Sequence, residues 1–493
     1  TTAQAVALTT DQVVAMTTAQ IQGFITDNLV VLSTVQLQAM ETVDVQALKT
    51  AQVAALTTDQ VAALTTAQIV ALTATQAQAI TTEGVQALGT AQIQALEVAD
   101  LQTMKTTQIA AMSANQVAAF TTAQIVALTA TQMQALASDG LALWSTVQIQ
   151  AMETADLQSL KTDQIQALTT VQLQAIRTAD LQVMKTTQIA ALTSSQAAAL
   201  TTDQIVALTT SQVQALVTDS VAALTQAQLQ AMEIVDLQAM KTTQIAALTT
   251  AQIQSLTTDE VVALTTTQVQ ALVTESVAAL TTAQVQALET VDLQALKTAQ
   301  VQALSTAQVV ALTTSQAAAL TTTQIKSGMT TDQVAVLETR DLVVFSTAQI
   351  QAITTLQIQV LSTVQCAALT TTQVEALTAG QLAAMTTEQS SVLAVGSPLI
   401  LDLTGDGVTT QSIQAGIKFD LFATGDQINT GWVAGGDGLL VMDRNHDGVI
   451  NDGSELFGEA TRLADGTVAK NGYVALAELD ANSDGWITQA DQG

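Results

Sequence analysis

Residues 1–393 are a tandem octapeptide, Thr-Thr-x-Gln-(Ile/Val/Leu)-x-Ala-Leu, and a period this short leaves few ways to bury apolar side chains. The eighth position reads Leu8, Met16, Phe24, Leu32, Met40, Leu48 and Leu56 and runs unbroken to Leu320. One residue is inserted around Lys326-Ser327-Gly328, and the count resumes from Met329 to Leu393, which makes 49 units. Units too small to hold a core must stack on their neighbours, so the array reads as a solenoid.

Each octad carries its own helix-start signal. In Leu8-Thr9-Thr10-Asp11-Gln12-Val13, Thr9 and Gln12 have the spacing of a capping box, and Leu8 and Val13 that of the hydrophobic staple that flanks one. The apolar fifth and eighth positions, three apart, fit one face of a short helix. A continuous helix fails, because eight residues at 3.6 per turn rotate the apolar stripe by roughly 80° per repeat. The prediction is a mainly α fold, a solenoid of short two-turn helices. The competing reading is a Thr-rich β-solenoid that binds ice, since β-branched residues suit strands. Abundant Ala, Leu and Gln and the lack of a period of two stand against it.

A longer rhythm overlies the octads. Glu41, Asp44 and Lys49 recur as Glu97, Asp100 and Lys105 and as Glu153, Asp156 and Lys161, seven octads apart each time. A second series runs through Arg177, Asp180 and Lys185, Glu233, Asp236 and Lys241, and Glu289, Asp292 and Lys297. Duplication of seven-octad blocks explains the pattern. Glu and Lys at the first position of successive octads are placed to pair across adjacent helices, at about 1 kcal/mol at most for each exposed pair. Phe24, Phe120, Trp144 and Phe345 occupy the eighth position and read as core. Cys366 replaces the usual Ile or Val at the fifth position and reads as a buried, inert thiol.

Charge and composition exclude several functions. The chain carries 42 acidic against 13 basic residues, a formal charge of -29, which repels nucleic acid and anionic lipid and favours cations as partners. With 48% hydrophobic residues it can bury a core, yet Thr and Gln interrupt every apolar run before it could span a membrane. Nothing in the array pairs a nucleophile with a base, so no enzymatic activity is expected. A start at Thr1 suggests a piece of a longer protein.

Sixteen of the 22 glycines and 15 of the 42 acidic residues follow Val392. The only proline, Pro398, sits in the turn-forming Val395-Gly396-Ser397-Pro398, which divides an array at 1–393 from a small α+β domain at 394–493. There, Asp480, Asn482, Asp484, Thr488 and Asp491 place oxygens at loop positions 1, 3, 5, 9 and 12 around Gly485, with the Trp486 carbonyl at position 7. This is the spacing of an EF-hand calcium loop, in which a turn at Gly points alternate oxygens at one hard cation. A second loop offers Asp443, Asn445, Asp447, the Val449 carbonyl and Asn451, closed by either Asp452 or Glu455. Asp402, Thr404 and Asp406 form a weaker third candidate, with Asp420, Asp426, Asn429 or Asp437 able to share it. Ca2+ is the expected cofactor.

The run from Ser397 through Asp402 and Asp406, Gly431-Trp432-Val433, and Asp437 through Asp443, Asn445, Asp447, Asn451, Asp452 and Glu455 to Gly458 resembles the C-terminal calcium-binding module of hemolysin-type and adhesion exoproteins of bacteria. The loop at 480–491 is also similar to a dockerin loop. The resemblance implies type I secretion, an extracellular or cell-surface location and calcium dependence, without the family's glycine-rich nonapeptides. The expected role is structural or adhesive, as a stalk, surface layer or filament subunit, with calcium and self-association or cell-surface components as partners. The other reading makes the chain a non-catalytic region of a secreted enzyme or toxin.

Overall fold

The computed structural model describes residues 1–393, 398–405, 407–411, 415–458, 460–469, 472–481 and 487. The chain divides into two compact units, Thr1–Ala263 and Leu264–Gly493, both of which contain octads. The fold is mainly helical, with 48 α-helices and one π-helical segment for the 49 units of the array, and a small strand-bearing region follows.

One octad shows how the sequence makes the element. Thr65 is extended (φ -71°, ψ 158°), the helix runs Thr66–Val70, and Ala71 ends it. The Gln68 N–H donates to Thr65 Oγ1 at 3.2 Å, and the Thr65 N–H donates to Gln68 Oε1 at 2.9 Å, closing the capping box. The next octad's Thr73 is again extended, so the helix cannot continue. Helices of four to six residues have no stability alone, so packing must hold them. Ile69 (0% exposed) and Leu72 (4%), the fifth and eighth positions, supply it. Burying one such side chain contributes roughly 2–3 kcal/mol.

The same glutamine has a second partner. Gln68 Nε2 donates to the carbonyls of Leu37 (2.8 Å) and Met40 (3.0 Å), which lie 31 and 28 residues back, at the end of the helix four octads earlier. Gln124 treats Ile93 and Leu96 in the same way, and in the second unit Gln316 does so with Val285 and Leu288. On the outer face, sixth-position glutamines reach forward: Gln38 Nε2 donates to Ala63 O, 25 residues ahead. Within each unit a turn of the coil therefore takes between three and four octads, and 28 residues is the middle of that range. A glutamine amide thus caps its own helix with its oxygen and ties down the previous turn with its nitrogen.

Departures from the consensus are absorbed locally. The inserted residue becomes a π-helical turn, Gln324–Gly328, in which the Met329 N–H donates to Gln324 O. Past it the cross-turn separations lengthen by one, as in Gln333 to Val301 (32 residues) and Leu304 (29). Gly140 stands where a glutamine is usual, and a Cβ there would lie 2.6 Å from Val117 Cβ, so only glycine permits this approach. Cys366 is fully buried, and burial pushes its thiol up to about 11, as an inert core sulfur requires. The expected Glu–Lys pairing does not form: among the described residues Glu41, Glu97 and Glu153 make no ion pair with Lys49, Lys105 and Lys161, whereas Arg177 pairs with Asp180 and Arg340 with Glu338 and Asp341. First-position side chains sit at extended helix caps pointing to water, where a long pair gains too little to order itself.

In the second unit, strands β1 (Ile400–Asp402), β2 (Thr410–Gln411), β3 (Lys418–Phe419), β4 (Ile428–Asn429), β5 (Trp432–Val433) and β6 (Asp437–Leu439) make three antiparallel pairs, β1 with β6, β2 with β5 and β3 with β4. Phe457, Ala469 and Ala475 form a small core with Leu399, Leu440, Leu463, Leu476 and Leu479 around them. Phe419 packs on Trp432 at 5.0 Å between ring centroids.

Candidate metal centre

Strand pairing builds the site. Beyond β6, Val441 pairs antiparallel with Leu456, and the Met442 N–H donates to Glu455 O at 2.8 Å. The two ends of the loop 443–455 are thereby held side by side. His446 and Gly448 take left-handed conformations (φ 59° and 82°) and turn the chain between them; His446 is exposed. Asp443 anchors the turn, its two oxygens accepting the N–H groups of Asp447 (3.2 Å) and Gly448 (2.9 Å). Asn445 Oδ1 accepts from Asp447 N–H, and Asp447 Oδ1 from Val449 N–H. Asn451 turns its amide to Asp447 Oδ2 at 2.9 Å and its N–H to Glu455 Oε2 at 2.9 Å.

The choice of closing residue follows from the short 3-10 helix Gly453–Glu455. Asp452 caps it, accepting from the Ser454 N–H and hydroxyl, while Glu455 is driven inward and fully buried. Gly453 allows this because it lies against the Leu421 backbone, where a Cβ would come within 1.7 Å of the carbonyl oxygen. One oxygen each from Asp443, Asp447 and Glu455 lie within 4.8 Å of one another. That span is about twice a calcium–oxygen distance of 2.3–2.6 Å. Glu455 Oε1 is buried without a hydrogen-bond partner, which is costly for a carboxylate oxygen unless a cation meets it. Arg444, the nearest cation in sequence, lies over the Phe457 ring, 5.3 Å from its centroid.

The other candidate loops share the turn. Asp402 accepts the N–H groups of Thr404, Gly405 and Gly407, and its strand partner Asp437 accepts from Thr409. The Thr404 hydroxyl turns back to Asp402. Asp420 likewise accepts from Thr424 and Gly425, an anchoring turn that the less acidic sequence there did not suggest. Asp406, Asn482, Asp484, Trp486, Thr488 and Asp491 lie outside the described residues, so of the ligands expected in the loop at 480–491 only Asp480, after the helix Gly472–Ala477, is placed.

Two families match the chain. Residues 399–493 match the SPM domain, and the ALTTAQ repeat matches 37–74, 93–130, 149–178, 173–210, 229–266, 285–322 and 334–371, just over half of the residues. The chain belongs to the ALTTAQ repeat family, whose motif is the octad read across its joint, as in Ala63-Leu64-Thr65-Thr66-Ala67-Gln68. The resemblance to a hemolysin-type calcium module is thereby corrected: the C-terminal residues match the SPM domain. Asp-x-Asn-x-Asp-Gly spacing is set by what a cation needs, so it recurs across families and does not identify one. A curated relative, the iron-regulated protein FrpA of Neisseria meningitidis serogroup C, is 51% identical over 106 residues. That stretch is 21% of this chain, and the chain spans only a tenth of the relative's length. Among the described residues no helix is long and apolar enough to cross a membrane.

Proposed function

We propose that the chain is a non-catalytic, structural segment of a bacterial protein of the cell surface or exterior, with the octad coil as scaffold and a module at 394–493 ordered by calcium. The observation that carries the metal reading is the fully buried Glu455 carboxylate, which groups with Asp443 and Asp447 within 4.8 Å and whose Oε1 has no hydrogen-bond partner. Three carboxylates in one loop suit Ca2+, which accepts flexible coordination, better than Mg2+, which demands an octahedron. Outside a cell the abundant ion neutralises a cluster that otherwise opposes folding, so binding and folding are coupled. The relationship to a bacterial iron-regulated protein supports the bacterial setting.

Calorimetric titration of the full chain with CaCl2 tests this. Saturable binding that raises the melting temperature of the C-terminal transition, abolished by Glu455→Gln, is expected; ligand at a hundred times Kd stabilises by about 2.7 kcal/mol. Identical melting and proteolysis profiles with calcium and with chelator would refute it.

A further inference from the structure

At seven octads the fourth position is Asp in place of Gln: Asp44, Asp100, Asp156, Asp180, Asp236, Asp292 and Asp341. All are more than nine-tenths buried. A consensus glutamine there offers an acceptor to its own helix cap and a donor to the turn below. Aspartate, shorter by a methylene and without the amide donor, closes no capping box in any of these seven helices. Asp156 Oδ2 is buried with no hydrogen-bond partner. Asp100 Oδ2 is orphaned in the same way.

The repeat fixes what these oxygens face. On either side of Asp100, Gln92 Nε2 donates to Val61 and Leu64 carbonyls and Gln108 Nε2 to Ala77 and Ile80 carbonyls. By the same separations of 31 and 28 residues, Asp100 stands over the carbonyls of Ile69 and Leu72, and Asp156 over those of Ile125 and Leu128. An ionised carboxylate there sets acceptor against acceptor in a dry site. The helices packed on that of Asp100, Ala74–Ala77 and Thr122–Ala127, carry no ionisable side chain, and Glu97 and Lys105 are the charged residues nearest in sequence. For Asp156, Ala130–Ala135 carries none; Glu153, Lys161 and Asp163 are the charged residues nearest in sequence, and Asp180, paired to Arg177, is reached through Thr154. Among the described residues neither aspartate belongs to a group of three His, Cys, Asp or Glu able to hold a metal.

We propose that Asp100 and Asp156 are proton-binding sites of the coil: each takes up one proton, and its carboxyl then donates, directly or through one water, to the carbonyls that a glutamine would tie. Asp100 and Asp156 lie 56 residues apart, two turns of about 28, so the sites recur along one side of the first unit. Burial first, and repulsion from Glu97 and Glu153 after it, raise Asp100 and Asp156 to about 6, and Asp44, Asp236 and Asp341 shift the same way. A carboxyl raised in the folded state stabilises fully below its unfolded value near 3.8, and that stabilisation is lost as pH rises through about 6. The coil is therefore tighter at pH 5 than at pH 7.5.

Hydrogen exchange by mass spectrometry on the full chain, with chelator present and rates corrected for intrinsic pH dependence, tests the proposal. Protection of residues 65–72 and 97–104 is expected to fall about tenfold between pH 5 and 7.5. The isosteric Asp100→Asn, Asp156→Asn pair flattens that dependence, while Asp59→Asn with Asp203→Asn, at exposed positions, preserves it. Infrared spectra of wild type minus the pair at pH 5 show the protonated carboxyl band. Unchanged pH dependence in the pair, or no such band, overturns the proposal. Recovery of protection at pH 7.5 on adding calcium, lost in the pair, also overturns it, since the sites then take metal; failure of the Glu455 site leaves each of these outcomes unaffected.

Discussion

The indole Nε1 of Trp144 donates to the carbonyl of Val117 at 2.8 Å, and takes the acceptor that the repeat assigns to Gln148, 31 residues on. Gln148 Nε2 settles instead on Ala118 O (3.1 Å) and Phe120 O (2.7 Å). Trp144→Phe frees Val117 O for Gln148, so its cost is the lost indole volume alone, about 1 kcal/mol. Gly140→Ala, four residues away, costs about 1–3 kcal/mol, because the added methyl meets Val117 Cβ and that side chain is fully packed. Urea midpoints of the two variants give the order.

Gln68→Glu separates the two ends of the repeat's glutamine. The carboxylate keeps the acceptor for Thr65 N–H but sets an oxygen against the carbonyls of Leu37 and Met40. Destabilisation of about 1–3 kcal/mol is expected, localised to those turns in hydrogen exchange. The array holds one such swap already: Glu260 Oε2 accepts from the N–H and hydroxyl of Thr257, so the cap survives the change. A variant as protected as wild type at 37–40 would show that the cross-turn bond contributes nothing.

The capping box was legible because Thr65 and Gln68 are three residues apart, within reach of local pattern. The tie from Gln68 to Leu37 was not, since every octad looks alike and nothing says which turn lies below. One trace existed: a helix N-terminus favours Glu over Gln at this position, yet the array has Gln in 36 of its 49 units and Glu in one, as a donor requirement would select. In the candidate metal loop, Asp443 and Asp447 were local and readable. Glu455 rather than Asp452 depended on the pairing of Val441 with Leu456, a contact set by the sheet and not by loop spacing.

Gly453→Ala tests how the proposed metal loop is closed. A methyl at 1.7 Å from Leu421 O cannot be accommodated without moving the 3-10 turn that carries Glu455. Calcium affinity is expected to fall at least tenfold although no ligand has changed, read by calorimetric titration. Unaltered affinity would mean that Glu455 reaches the cluster without that close approach.

Asp100→Gln restores the consensus at a buried acid and does chemically what a bound proton does. The new Nε2 reaches the carbonyls of Ile69 and Leu72, as Gln92 and Gln108 reach theirs, and removes an orphaned oxygen. The gain is about 1–2 kcal/mol at pH 7.5, the worth of a buried hydrogen bond plus relief of an unsatisfied group. At pH 5, where the native carboxyl already carries its proton, the same substitution gains little. Denaturant midpoints at the two pH values measure the difference, and equal gains at both would mean that the acid is ionised throughout.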